Sequence, residues 1–171
     1  FGGRIDVDET RAVVNRALEL GINLFDTADV YGNRGGSEDC LGEVMGDRRK
    51  DIILATKFAM PMSDDPAMRG ASRAYIVKAC EASLKRLKTD WIDLYQVHQP
   101  DADAPPGETM SALDDLIKQG KVRHIGSSNY SADQLDEAQD AATGNGWAGF
   151  VSCQDHYSLL ARDIDDGLLP A

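Results

Sequence analysis

Apolar segments of two kinds alternate along the chain, and their spacing predicts a regular succession of strands and helices. Short apolar runs without polar alternation are typical of parallel strands that are covered on both faces. They predict strands over residues 22–26, 51–57, 91–97, 122–126 and 149–153. Apolar residues at helical spacing predict helices over 9–20, 37–45, 72–87, 106–119 and from 131 onward. Asp8 is the expected N-cap of the first helix, and Ser131-x-x-Gln134 has the form of a capping box.

Strand and helix alternate five times without a Pro- or Ser-rich linker, which predicts an α/β fold with one parallel sheet. A doubly wound sheet and a (β/α)8 barrel both fit this order. The chain has neither the Gly-x-Gly-x-x-Gly motif of a dinucleotide-binding sheet nor the motif of a phosphate-binding loop, so the barrel is favoured. A whole barrel has about 250 residues. We therefore expect residues 1–171 to form a single partial barrel domain with about strands 2 to 6, lacking the first strand and the last two.

Each predicted strand ends in a polar residue that could carry chemistry. The active site of a (β/α)8 barrel lies at the C-terminal ends of its strands, so these residues are expected to converge on one mouth. They are Asp26, Lys57, His98, Ser128 with Asn129, and Gln154. Taken singly, each has an ordinary structural interpretation, such as a solvated lysine, a turn cap or a satisfied histidine. Their succession in barrel order favours a catalytic interpretation.

The segments around these residues resemble those of the aldo-keto reductase family, and the resemblance runs along essentially the whole chain. The matching segments are Phe-Asp-Thr-Ala-Asp-Val-Tyr-Gly at 25–32, Leu-Ala-Thr-Lys at 54–57, Asp-Leu-Tyr-Gln-Val-His at 93–98, the stretch 122–130 with Ser127-Ser128-Asn129, and the stretch 154–160. The resemblance implies an enzyme that reduces an aldehyde or ketone to an alcohol with hydride from NADPH. It further implies a single small-molecule substrate site and no metal.

The resemblance also implies a role for each residue. Tyr31 would be the proton donor, and Lys57 would lower its pKa from about 10. A positive charge about 4 Å away at an effective dielectric of about 20 is worth roughly 4 kcal/mol, or about 3 pKa units, which would bring Tyr31 toward 7. Asp26 would keep Lys57 charged, and His98 would orient the carbonyl oxygen. The cofactor would be bound by Asp26, Ser128, Asn129 and Gln154.

Three alternatives remain open at this point. Some relatives of the same fold act as NADP(H)-binding redox-sensing subunits of ion channels and keep the same four catalytic residues. A Schiff-base aldolase would use Lys57 as a nucleophile, although Asp26 beside it argues against this role. The 171 residues by themselves are also expected to bind NADPH poorly, because the predicted strands cannot close a barrel.

Composition narrows the setting. The formal net charge of −11 argues against a nucleic-acid surface, which needs clustered Lys and Arg. No apolar run approaches the roughly 18 residues of a membrane span. Cys40, Cys80 and Cys153 form no paired motif and are expected to be buried reduced thiols of a cytoplasmic protein. The sequence carries no signal that specifies the oligomeric state.

Overall fold

Five parallel strands pair in chain order to form one curled sheet. In a computed structural model, which describes residues 1–165 and 167–169, the strand order is β1-β2-β3-β4-β5. The bounds are β1 Leu24–Asp26, β2 Ile53–Phe58, β3 Ile92–Val97, β4 Val122–Ser128 and β5 Cys153–Gln154. The sheet with its alternating helices is a half-barrel, which confirms the predicted partial (β/α)8 architecture.

A helix follows or precedes every strand and covers the outer face of the sheet. The helices are α1 Val7–Glu19, α2 Tyr31–Met45, α3 Arg73–Leu87, α4 Pro106–Lys118 and α5 Ala132–Asn145. Short 3₁₀ turns occupy Gly46–Asp51 and Pro66–Met68. The capping box predicted at Ser131 is present, with Ser131 Oγ accepting from the Gln134 N–H. The predicted cap of α1 is wrong, because Asp6 rather than Asp8 forms a capping box with Glu9 and starts the helix earlier.

The core lies between the outer face of the strands and the helices. Alternate strand residues point to opposite faces. The outward-facing Leu54, Phe58 and Tyr95 are buried, and the rings of Phe58 and Tyr95 stack at a centroid distance of 4.7 Å. The inward-facing Leu24 and Ile53 are 54% and 43% exposed among the described residues. The sheet therefore has one covered face and one open face.

The last strand is shorter than the sequence pattern predicts. Residues 149–152 lie outside the assigned strand, although the Val151 N–H donates to Ile125 O at 2.9 Å and Ser152 O accepts from Ser127 N–H at 2.9 Å. β5 pairs only with β4 in the described residues, so ladder hydrogen bonds form on one side alone. Cys153 is consequently exposed, which contradicts the expectation of a buried thiol, whereas Cys40 and Cys80 are buried.

A charged cluster joins the N-terminal ends of three strands. Asp93, at the start of β3, accepts from Arg49 Nη2 at 2.8 Å, from Arg123 Nη1 at 2.6 Å and from the Leu54 N–H at 3.0 Å. Both guanidinium groups also lie over the Trp91 ring, at 4.3 and 5.0 Å from its centroid. Burial by itself would raise the pKa of Asp93, but the Leu54 N–H and the two arginines outweigh it and hold the pKa below its usual value. This cluster fastens the sheet at the end opposite to the polar strand tips.

Candidate active site

The polar strand tips converge at the C-terminal edge of the sheet. Parallel register brings this about, because Asp26 pairs with Ala55, Lys57 with Gln96, and Ser128 with Gln154. All of the residues named from the sequence as catalytic or cofactor-binding lie at this edge or in the segments that follow it directly. They therefore share one mouth.

Asp26 and Lys57 form an ion pair at the centre of this edge. Lys57 Nζ donates to Asp26 Oδ2 at 2.5 Å and to Thr27 O at 3.1 Å. The Lys57 side chain is only 2% exposed, whereas that of Asp26 is 30% exposed. A buried ammonium needs such partners, since an unpaired charge in this position would be strongly unfavourable.

Tyr31 and His98 lie beside this ion pair. The distance between Tyr31 Oη and His98 Nε2 is 3.4 Å, and the two rings meet edge to face. Lys57 Nζ lies 5.3 Å from the centroid of the Tyr31 ring. The structure thus brings Asp26, Tyr31, Lys57 and His98 into one group, with the phenol hydroxyl facing the open mouth.

The pKa of Tyr31 moves in the direction opposite to the one expected from the sequence. Burial, and then the negative charge of Asp26, raise it above its ordinary value of about 10. The value expected from the sequence counted only the positive charge of Lys57 and left out the negative charge of Asp26 beside it. In the structure Asp26 neutralises that charge at 2.5 Å, so the phenol experiences a compensated pair.

His98 is held in its neutral form. Burial, and then the charge of Lys57, lower its pKa below the ordinary value, and Asp26 offsets this only in part. Its backbone N–H donates to Phe58 O at 2.9 Å, which fixes the end of β3 against β2. Nδ1 is buried without a hydrogen-bond partner among the described residues, which leaves Nε2 as the nitrogen that faces Tyr31.

An unusual backbone turn positions Tyr31 at the start of α2. Residues 32–35 have positive φ, with φ values of 67°, 62° and 64° at Gly32, Asn33 and Arg34. A left-handed turn of this kind is costly for residues with a side chain. A Cβ atom at Gly32 would lie 2.5 Å from Ser37 N and 2.7 Å from Phe1 O. The turn at 32–35 is therefore a tightly packed support for Tyr31.

Ser128, Asn129 and Gln154 are joined by hydrogen bonds at the end of β4 and β5. Ser128 Oγ donates to Gln154 O at 2.7 Å, and Asn129 Nδ2 donates to His98 O at 2.8 Å. Asn129 has a φ of 59° and its N–H donates to Asp155 Oδ1 at 2.9 Å. The group offers amide oxygens as acceptors and hydroxyl and amide N–H groups as donors. This set can pair with both halves of a carboxamide, so the residues fit the nicotinamide amide of a bound NADPH.

Sequence reasoning missed one member of the group. Gln96 Nε2 donates to Asp26 Oδ1 at 3.3 Å, while Gln154 Nε2 reaches Asp26 Oδ2 at 3.4 Å from the other side. Gln96 lies two residues before His98 on the same strand and therefore faces the same side. The period of two was the signal that could have identified it.

Two features are absent from the described part of the chain, a membrane-spanning helix and a metal-binding group of side chains. None of its helices is both long enough and apolar enough to span a bilayer. Within residues 1–165 and 167–169, no group of three or more His, Cys, Asp or Glu side chains is arranged to hold a metal ion.

Comparison with known proteins places this site in a family. The model of the Aldo/keto reductase family matches residues 1–171. Similar proteins include the uncharacterized oxidoreductase YrpG of Bacillus subtilis (41% identical over 98% of this chain and 55% of that protein) and the aldo-keto reductase AFTS1 of Alternaria alternata (37%, 93% and 50%). A probable voltage-gated potassium channel subunit beta of Oryza sativa is 36% identical over 99% of this chain and 52% of its own length. The chain spans about half the length of these relatives. The chain belongs to the aldo/keto reductase family.

Proposed function

We propose that the protein carrying this chain reduces an aldehyde or ketone to an alcohol, with NADPH as hydride donor and Tyr31 as proton donor. The observation that carries the proposal is the grouping of four side chains at one mouth. Tyr31 Oη faces His98 Nε2 at 3.4 Å, directly beside the buried Lys57–Asp26 pair.

The substrate carbonyl oxygen would bind between Tyr31 Oη and His98 Nε2. Two donors at this point would orient the carbonyl and polarise it. When bound, the nicotinamide supplies the hydride, and Ser128, Asn129 and Gln154 would hold its amide so that one ring face is directed to the mouth. Asp26 contributes to this grip through Gln154.

The raised pKa of Tyr31 suits a proton donor. The phenol keeps its proton through the neutral range, because burial and Asp26 disfavour the phenolate. An alkoxide that forms at the carbonyl oxygen is a stronger base than a phenolate, so transfer of the proton is favourable. Lys57 would then stabilise the phenolate that remains.

The test follows NADPH absorbance in the natural full-length protein with a panel of aromatic aldehydes and ketones. Tyr31→Phe is expected to lower kcat by at least about 10²-fold, the lower range for loss of a general acid, with NADPH affinity retained. Tyr130→Phe is the matched control, since its ring packs on Phe150 and remains in place. Equal rates for Tyr31→Phe and the wild type would rule out the phenol as proton donor.

A second candidate is a redox-sensing role with little turnover, favoured by the similarity to the potassium channel subunit. Tight NADPH binding without consumption across the panel would support this second candidate. The Schiff-base aldolase is disfavoured, because Lys57 Nζ is buried and bound to both Asp26 and Thr27, which leaves it poorly placed to attack a carbonyl carbon. Failure of borohydride to trap a carbonyl substrate on Lys57 would complete that exclusion.

A cytoplasmic location accompanies the proposal. Cys40, Cys80 and Cys153 are free thiols among the described residues, which suits a reducing compartment.

A further inference from the structure

Asp29 is a buried carboxyl group without a well-formed hydrogen bond. It is fully buried, and neither Oδ1 nor Oδ2 has a hydrogen-bond partner among the described residues. Its backbone N–H, by contrast, donates to Lys57 O at 3.0 Å. Asp29 therefore lies between two site residues along the chain, three positions after Asp26 and two before Tyr31, with its side chain directed into the protein.

The neighbouring acid, Glu38, already uses the available donors. Glu38 Oε1 accepts from Thr56 Oγ1 at 2.6 Å, and Oε2 accepts from Arg86 Nε at 2.7 Å. Glu38 is fully buried, so Arg86 is the counter-ion that it requires. Arg86 is thus bound to Glu38, and no ion pair joins it to Asp29 among the described residues.

The remaining groups near Asp29 supply no second positive charge. Tyr75 and Arg86 on α3 and Tyr95 on β3 interact with its charge; burial, and then nearby negative charges that include Asp29, raise the pKa of both phenols. From β2 come the neutral Thr56 and Lys57, whose ammonium group is bound to Asp26. Burial, and then Glu38, raise the pKa of Asp29 to about 7, although Arg86 and the Val30 N–H offset part of this.

We propose that Asp29 is a positioning residue for Tyr31: as a neutral carboxylic acid it lets the segment between β1 and Tyr31 stay buried against β2, and its ionisation loosens that segment. The neutral acid leaves the cluster of Asp29, Glu38 and Arg86 with no net charge. Ionisation adds an uncompensated buried charge two residues from Tyr31. The inference rests on the proposed reductase function for its catalytic consequence, but not for the protonation of Asp29.

The protonation is tested first, without reference to activity. Infrared spectroscopy detects the C=O stretch of a protonated carboxyl group, and the natural full-length protein is titrated from pH 5 to pH 9. We expect a band that disappears as pH rises, with a midpoint near pH 7. The band should be absent in Asp29→Asn. It should persist in Asp39→Asn, which changes an exposed residue of α2 and serves as the control. Asp29→Ser replaces the first variant if the amide does not fold. A wild type without such a band at pH 6, or a band that persists in the Asp29 variant, overturns the proposal.

The pH dependence of stability gives a second readout. The folded-state pKa of Asp29 lies above its ordinary value of 3.8, so the folded protein binds more protons than the unfolded chain between these two values. The free energy of unfolding therefore falls as pH rises from about 4 to about 7. Asp29→Asn is expected to lose this dependence, and an unchanged slope in the variant contradicts the inference.

The catalytic arm compares kcat for carbonyl reduction between pH 6 and pH 9. With a pKa of about 7, the neutral fraction of Asp29 falls about fivefold between pH 7 and pH 8, and kcat is expected to fall in step. Asp29→Asn, which is neutral at every pH, should keep its kcat over this range, because the pKa of Tyr31 lies far higher. A parallel decline in wild type and variant refutes the positioning role. Absence of any reduction, together with the expected infrared band, would instead refute the proposed function alone.

Discussion

Asp26 neutralises the charge of Lys57 and also affects the pKa values of the neighbouring Tyr31 and His98. The ammonium is almost fully buried and has two acceptors, of which Asp26 is the charged one. Asp26 also raises the pKa of Tyr31 and opposes the lowering of the pKa of His98. One carboxylate therefore influences three site residues.

The substitution Asp26→Asn tests the effect of this carboxylate on Lys57 and Tyr31. The change removes the counter-ion of a buried charge, which lowers the free energy of unfolding by about 3–5 kcal/mol. The displacement of Lys57 and Tyr31 that follows is expected to lower kcat/KM for carbonyl reduction by about 10²-fold. The pKa of Tyr31 should decrease, because the charge that raises it is gone. Ultraviolet titration of tyrosinate measures that decrease, with the exposed Asp51→Asn as control. A tyrosine that titrates at higher pH in the variant would contradict the assignment.

Sequence reasoning predicted which residues converge at the mouth but not their electrostatic surroundings. Lys57, His98 and Tyr31 could be identified from strand ends and from the family resemblance, because parallel strands align their C-terminal ends. The pKa of Tyr31 depends on the 2.5 Å contact between Lys57 and Asp26, a distance that no sequence pattern encodes. The burial of Asp29 was hidden for the same reason, since an acid beside a glycine-rich turn is typically solvated.

At the scale of elements, the left-handed turn at 32–35, which lies inside α2, determines where Tyr31 is placed. Gly32→Ala would bring a Cβ within 2.5 Å of Ser37 N, a backbone atom that cannot yield easily. We expect the substitution to displace the turn and to lower kcat by about tenfold or more, as displacements of about 1 Å do.

Gly46→Ala is the control for this change. Gly46 also has a positive φ, of 47°, but open space surrounds the position of its Cβ. It should lose about 1–3 kcal/mol of unfolding free energy, the cost of a side chain in this sparsely populated backbone region (φ 47°, ψ −135°), with kcat unchanged. Equal kcat values for the two variants would show that the close contact at Gly32 has no role in the position of Tyr31.

Ion pairs of different burial should differ in their effect on stability. Asp93→Ala leaves Arg49 buried without its partner, and the free energy of unfolding is expected to fall by about 3–5 kcal/mol. Glu43→Ala breaks an exposed pair with Lys88 and should leave the free energy of unfolding almost unchanged. Chemical denaturation measures both, and similar losses would contradict the assignment of Asp93 as the fastening point.

At the scale of the whole molecule, the alternation of elements was predictable and the ends of the sheet were not. Four strands and the helices between them could be predicted from apolar runs and helical periodicity. Parallel strands that are covered on both faces must be apolar along their whole length, so their sequences are easy to recognise. β5 fell short at 149–152, since an edge strand in the described chain is paired on one side only. The strand propensity of residues 149–152 does not depend on whether a neighbouring strand pairs with them, so it could not predict this shortening.

The open inner face is expected to weaken cofactor binding by these 171 residues. Leu24 and Ile53 are exposed there, and the tips that would hold NADPH form half of a ring. The 171 residues by themselves are therefore expected to bind NADPH weakly, with a Kd well above the micromolar range. Isothermal titration calorimetry would check this, and micromolar affinity would refute it.

The packing of Arg49 and Arg123 on Trp91 also determines which part of the protein tryptophan fluorescence can monitor. The chain has two tryptophans, and both precede a strand, Trp91 before β3 and Trp147 before β5. Their emission therefore senses the N-terminal end of the sheet, whereas Tyr31 and His98 lie at the other. A change in indole emission on adding a substrate would mean that movement at the mouth had been transmitted through the strands to the opposite edge.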